Sequence, residues 1–171
     1  SLKFKETVHS LKRLYPGVHG KVVDLCKPTQ RKYDLAVSVI MGKNMDSIVV
    51  DDGKTAMECI KYMRDQRSGQ ATFLPLDSIQ VKPVQEKYRA FVKGARLALD
   101  VIQFDGNVER AIKYVVGNAL ISDTTEIARH VVYEKNQQVK GSMLFFNDFF
   151  SCHFGWNCFA QDWNDNWGSG G

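Results

Sequence analysis

One structural phrase occurs twice in this chain, and that repetition limits its possible folds more than any other feature. In the first copy the apolar run Tyr33, Ala36, Val37, Val39, Ile40 stops at Gly42. The polar link Lys43-Asn44-Met45-Asp46 follows, then Ile48-Val49-Val50 and Asp51. In the second, Ala111, Ile112, Val115 and Val116 stop at Gly117; Asn118, Ala119-Leu120-Ile121 and Asp123 follow. Each aspartate precedes a threonine and a new amphipathic run, beginning at Thr55 or Thr124. Glycine just past a helical run accepts the left-handed conformation that ends a helix. Three or four aliphatic residues between turn signals suit a strand covered on both faces. Asp, Ser or Thr beyond that strand can cap the next helix. The repeated unit is therefore helix, glycine stop, buried strand, helix. A chance recurrence of a common α/β pattern stays open, because the two spacings differ slightly.

A chain of 171 residues accommodates one core or two small packed subdomains. With 44% hydrophobic and 25% charged residues it falls in the ordinary range for globular proteins. No apolar run approaches the roughly 18–20 residues that span a bilayer. The start, Ser1-Leu2-Lys3-Phe4-Lys5, lacks the features of a secretory signal and falls inside a helical pattern, as expected of an excised fragment. Cys26 and Cys59 sit in apolar runs, which favours buried thiols in a reducing compartment. Cys152, His153 and Cys158 match no zinc spacing, so no metal is expected. Charge is unevenly placed: residues 142–171 hold three aspartates and no Lys or Arg, so with +4 overall the preceding residues carry +7. That is a moderate attractor for polyanions.

Along the chain, Phe4, Val8, Leu11 and Tyr15 form a heptad-like seam on a helix over 2–15, ended by Pro16-Gly17. Two heptads fit a coiled-coil end and a plain surface helix equally. Residues 18–25 read as a strand and 54–67 as an amphipathic helix. Thr72-Phe73-Leu74-Pro75-Leu76 reads as a short strand, and Pro75, lacking an N–H, places it at a sheet edge. An apolar edge must be covered, either by the chain itself or by another molecule. Between the halves, Lys82, Lys87, Arg89, Lys93 and Arg96 stand against Glu86 alone, with Tyr88 and Phe91 interleaved. Such a run can follow a phosphate backbone and stack on bases, or simply be a solvated linker. A strand over 97–104, a helix over 107–116, a strand over 119–122 and a helix over 125–134 complete the reading.

No catalytic constellation emerges. Gly42-Lys43 lacks the rest of a phosphate-binding loop, no dinucleotide fingerprint or nucleophile elbow occurs, and the four histidines are isolated in sequence. The pattern favours an interaction module over an enzyme, and no cofactor is expected.

Tyr15-Pro16-Gly17-Val18-His19-Gly20-Lys21-Val22-Val23-Asp24-Leu25-Cys26 resembles the opening of the hinge domain of SMC (structural maintenance of chromosomes) proteins, in its cohesin branch. Tyr33 to Val37, Met41 to Asp51, Phe73 to Asp77 and Tyr114 to Ile121 continue the likeness in order, to about residue 140. The resemblance implies a mixed α/β (α+β) fold of two pseudo-symmetric subdomains with short sheets and packed helices. It also implies this organisation: the end of a coiled-coil arm at 1–15, subdomain I at 16–81, a basic connector at 82–96 and subdomain II at 97–171. The implied role is dimerisation with the hinge of the partner, the third SMC subunit of cohesin, in the nucleus on chromosomes, without catalysis. Both halves would leave bare β-edges for that partner. Implied contacts are Phe73, Leu74, Pro75, Leu76, Gly117, Asn118, Gly170 and Gly171, with Phe73 and Leu74 as anchors. Basic hinge surfaces in the family touch DNA, which turns Lys82, Lys87, Arg89, Lys93 and Arg96 into candidates.

From residue 142 the chain departs from the family, which there has a strand beginning a Thr-Leu-Asp-Gly-like turn and a glycine-rich ending. Here all three tryptophans and six of ten phenylalanines fall in thirty residues, and only Ser169-Gly170-Gly171 resembles the family. This tail is a buried packing element, an exposed apolar patch, or translated non-coding or frame-shifted sequence, and it puts one of the two dimer contacts in question. Two other roles compete: a stand-alone basic nucleic-acid-binding module, and a small α/β enzyme assembled around His130 or Asp123.

Overall fold

Ser1 opens the first helix, α1 (Leu2–Leu14), its hydroxyl accepting the Phe4 N–H at 3.3 Å. Lys12 and Arg13 occupy the last turn, where cations favour the helix dipole. The computed structural model describes residues 1–90, 93–124 and 127, and the backbone of 143–146, 151–153 and 158–159. After α1 come β1 (Val18–Lys21), the single helical turn α2 (Val22–Leu25), β2 (Cys26–Pro28), α3 (Asp34–Met41), β3 (Ile48–Val50), α4 (Gly53–Asp65) and β4 (Phe73–Pro75). The second half contributes β5 (Ala95–Leu97), β6 (Ile102–Phe104), α5 (Glu109–Val116), β7 (Leu120–Ser122), β8 (Met143–Phe146), β9 (Ser151–His153) and β10 (Cys158–Phe159).

The duplication extends well beyond the repeated phrase. β1 runs antiparallel to β3 and β4 parallel to it; β5 runs antiparallel to β7 and β8 parallel to it. Asp51 donates its N–H to Gly17 O at 2.9 Å, and Asp123 donates to Gly94 O at 2.8 Å. At the other end of each ladder, Val22 donates to Ser47 O at 2.9 Å and Ala98 to Ala119 O at 2.8 Å. A helical turn then follows in both halves, α2 in one and the 3-10 turn Ala98–Val101 in the other. β2 and β6 come next and pair with each other. Another 3-10 turn leads into α3 and α5, which end at Gly42 and Gly117 with φ of 51° and 55°. A side chain at either position would be strained by this backbone, which is why glycine stands at both.

This symmetry corrects two expected strands. Residues 18–25 and 97–104 are each broken into strand, helical turn and strand. Uninterrupted aliphatic runs are buried in either conformation, so their periodicity cannot separate the two. The 107–116 helix starts as a 3-10 turn at Gly106–Val108, with Asp105 capping Asn107 N–H. The helix expected at 125–134 lies outside the described residues apart from Ile127.

Two compact units interleave along the chain. The first comprises 1–27, 41–82 and 103–115, the second 28–40, 83–102 and 116–171. Each unit thus takes its strands from one copy of the repeat and its post-β2 or post-β6 helix from the other: α5 belongs to the first unit and α3 to the second. In the first unit the seam residues Val8 and Leu11 bury with Val18, Ile48, Val50, Ala56, Cys59 and Met63, and Phe4, Tyr15 and Phe73 pack against them. In the second unit Tyr33, Val37, Tyr88, Leu97, Leu120 and Ile121 are buried.

Candidate pairing edges and basic surface

In the first sheet the strand order is β1-β3-β4, so β4 lies at the edge where Pro75 places it. Ile48 donates to Thr72 O at 2.8 Å and Leu76 to Val50 O at 2.9 Å. In a parallel ladder this alternation turns the main chain of 72, 74 and 76 toward β3 and that of Phe73 and Pro75 away. Because proline has no N–H and the Pro75 carbonyl already accepts the Ser78 and Ile79 N–H groups at 3.2 and 3.0 Å, the outer edge of β4 offers one donor and one acceptor, the N–H and carbonyl of Phe73. No strand among the described residues occupies this side. The Phe73 ring packs on the unit's own core, whereas Leu74 is buried and points to the opposite face. Leu76 is half-buried. The anchors expected for a partner thus already contribute to the chain's own packing.

The second sheet ends differently. Its order is β10-β9-β8-β7-β5. β9 pairs antiparallel with β8 (Met143↔His153, Leu144↔Cys152, Phe145↔Ser151), and β10 with β9. The edge of β8, which by symmetry matches that of β4, is therefore closed by the chain's own tail. Ladder hydrogen bonds favour such pairing once the tail has strand-forming stretches beside an unpaired edge, and the outer edge of this sheet passes to β10. Gly170 and Gly171 lie outside the described residues.

Gly117 and Asn118 form the turn before β7. Asn118 Oδ1 accepts the Gln85 N–H at 3.0 Å and its Nδ2 donates to Pro83 O at 3.3 Å. In the first unit Arg110 does similar work, donating through Nε to Leu76 O and through Nη2 to Ile79 O, both at 2.8 Å. The inter-half connector is pinned at both ends, and neither clasp is visible from sequence spacing.

Among the basic candidates, Lys82, Lys87, Lys93 and Arg96 are exposed. Lys87 Nζ stands 5.2 Å from the centre of the Tyr88 ring. Arg89 is committed elsewhere: it donates to both oxygens of Asp100, at 2.9 and 2.8 Å, and to Glu86. The paired carboxylates, Asp100 first, hold its guanidinium still more firmly protonated. Tyr88 is buried, so its ring is not a stacking platform, and Phe91 lies outside the described residues.

Sequence reasoning missed a bulge in β1. Val18 pairs with Val50 and Gly20 with Val49, so His19 is an extra residue with no counterpart in β5. Bulges re-aim side chains, and this one brings His19 Nε2 to 2.6 Å from Asp51 Oδ1. Its counterpart Asp123 keeps one buried carboxylate oxygen without a hydrogen-bond partner among the described residues. Burial drives the Cys26 and Cys59 thiols up to about 11, so both stay protonated near neutrality. Among the described residues no cluster of His, Cys, Asp or Glu could hold a metal.

The family model described as the SMC proteins flexible hinge domain matches residues 15–132. The chain belongs to that family. The hinge match stops short of the aromatic tail. Structural maintenance of chromosomes protein 1 of Schizosaccharomyces pombe is 46% identical over 138 residues, 81% of this chain and 11% of that protein. The Arabidopsis thaliana protein of the same name is 49% identical over 127 residues, 74% of this chain and 10% of that one. The chain thus spans about a tenth of these relatives' length. Among solved structures, an asymmetric dimer of the Geobacillus stearothermophilus SMC hinge domain superposes with a TM-score of 0.78 at 26% identity, over 92% of this chain and 64% of that one. A structure of the folded elbow of cohesin gives 0.74 at 34%, over 92% and 22%. The mixed α/β fold of two like halves is that of SMC hinges.

Proposed function

We propose that this chain is the hinge of the first SMC subunit of cohesin and joins it to the hinge of the third, in the nucleus, for sister-chromatid cohesion and chromosome organisation. The reading is carried by the bare outer edge of β4 on a hinge fold whose relatives are SMC1 proteins. A partner strand there pairs with the Phe73 N–H and carbonyl, the mode in which extended segments add to open sheets. Leu76, Gly117 and Asn118 would flank partner contacts, and Gly170 and Gly171 keep that role by resemblance. α1 is the end of the coiled-coil arm. A groove of about 550 Å³ runs along it, lined by Leu2, Lys5, Val8, His9 and Lys12. Lys82, Lys87, Lys93 and Arg96 are the DNA-facing residues, with Arg89 ordering the surface beneath them. The domain itself joins subunits and does no catalysis.

Sedimentation of the chain mixed with the hinge of the third cohesin subunit tests this. A one-to-one complex at micromolar concentration is expected; two persistent monomers would refute the reading.

A further inference from the structure

Arg110 sits at a helix position that disfavours a cation. It lies in the first turn of α5, where the helix dipole opposes positive charge, and its counterpart in the first copy, Leu35, is an exposed apolar residue. Glu109 beside it pairs with Lys113 at 3.4 Å, and Arg110 forms no ion pair among the described residues. Its guanidinium is directed instead at a single turn of backbone. That turn begins where β4 ends: Ser78 and Ile79 both donate to Pro75 O, at 3.2 and 3.0 Å, while Leu76 donates inward to Val50 O at 2.9 Å. Arg110 closes the turn, donating to Leu76 O through Nε and to Ile79 O through Nη2, each at 2.8 Å.

The closed turn decides how much of β4 another strand can use. Phe73 and Pro75 turn their main chain away from β3, but the Pro75 carbonyl is occupied inside the turn and proline supplies no donor. The open edge is therefore one residue long. We propose that Arg110 guards this edge: by keeping the 75–79 turn closed it withholds the Pro75 carbonyl, and so stops β4 from pairing with the β4 of a second copy of this chain. Main-chain bonds at a sheet edge attach any available strand, whereas side-chain contacts select one. With only the Phe73 N–H and carbonyl on offer, main-chain pairing is too short to hold a strand by itself, and partner choice passes to side chains. Once released, the Pro75 carbonyl lies two residues along the same side of the strand, and the edge gains a second position at which a strand can register. The inference rests on the dimerisation reading above for what the edge is selective toward; the guard against a second copy stands on the turn alone. Its basis is geometric: a guanidinium presents its donors in a fixed fork, and a lysine ammonium keeps the charge without that fork.

The test compares the parent chain, Arg110→Gln and Arg110→Lys by residue-resolved hydrogen exchange and by sedimentation, alone and with the hinge of the third cohesin subunit. The parent alone should sediment as a monomer at micromolar concentration. Both variants should release the Ser78 and Ile79 amides by about tenfold or more, with Val49 protection reporting that the sheet is folded. Alone, both should self-associate about tenfold or more tightly than the parent, and the Phe73 amide should become protected as concentration rises. Unaltered exchange at Ser78 and Ile79 overturns the guard, as does a released turn in variants that self-associate no more than the parent, or that do so without protecting Phe73. Parent-like behaviour of Arg110→Lys overturns it too, since like-charge repulsion and not the fork would then keep copies apart. A parent that binds no partner hinge, while Arg110→Gln still self-associates through Phe73, refutes the dimerisation reading and leaves the guard standing.

Discussion

Gly17 and Gly94 stand one residue before an antiparallel strand in their respective halves, and each supplies the carbonyl that closes a ladder. The reason for glycine is close approach: a Cβ at 17 would meet Thr55 Oγ1 at 2.8 Å, and one at 94 would meet Ile127 Cδ1 at 2.4 Å. Gly94 also has φ of 90°, whereas nothing lies within 4 Å of a Cβ at Gly42. Gly94→Ala combines backbone strain with a clash and should cost about 2–3 kcal/mol. Gly42→Ala carries strain alone and should cost about 1 kcal/mol. Urea unfolding of both variants checks the order; equal losses would remove the packing contribution at 94. Asp52 caps α4 by accepting the Thr55 N–H at 2.8 Å, and that bond holds its carboxyl below the usual range. A carboxyl with a depressed folded pKa stabilises above its unfolded value and loses that contribution as pH falls through the folded one. Stability should therefore decline below about pH 4, and Asp52→Asn, which keeps an acceptor cap, should decline less over that window in acid-unfolding curves.

The elements show which parts of this architecture a sequence can disclose. Helix, glycine stop and strand were legible because Gly42 and Gly117 interrupt aliphatic periodicity at matching places, and Pro75 marked β4 as an edge through its missing donor. The breaks after Lys21 and Leu97 were not, since Val22-Val23 and Ala98-Leu99 are as apolar as strand residues and turn only because the ladder ends there. Asn118 was legible as a turn residue but not as a clasp, because its partners, Pro83 and Gln85, are more than thirty positions away. Arg110 occupies the place of Leu35 in the first copy, so the duplication itself disguised its role. Asn118→Ala should leave global stability within about 1–2 kcal/mol of the parent but release the Gln85 amide to solvent. Hydrogen exchange at Gln85 reads this directly; retained protection would mean that the connector is held by something other than Asn118.

For the whole molecule, the +7 charge of residues 1–141 is what any DNA contact would draw on, and ion pairing within the chain offsets part of it. Arg89 spends its donors on Asp100 and Glu86, so the local excess it contributes is cancelled within a few ångströms. Exposed surface pairs of this kind add little to stability, and the chelated guanidinium has few donors left for phosphate. Lys82, Lys87, Lys93 and Arg96 keep exposed charge and carry whatever electrostatic attraction this surface has. If these four each neutralise one phosphate, changing all of them to Gln should flatten the slope of log affinity against log salt by about 0.9 per lost contact on duplex DNA. Arg89→Gln alone should leave that slope nearly unchanged while loosening the Glu86–Asp100 region. A salt titration of the quadruple variant, Arg89→Gln and the parent against one duplex separates the two kinds of basic residue. An Arg89→Gln slope change as large as that of any single lysine would show that its carboxylate partners release it on binding.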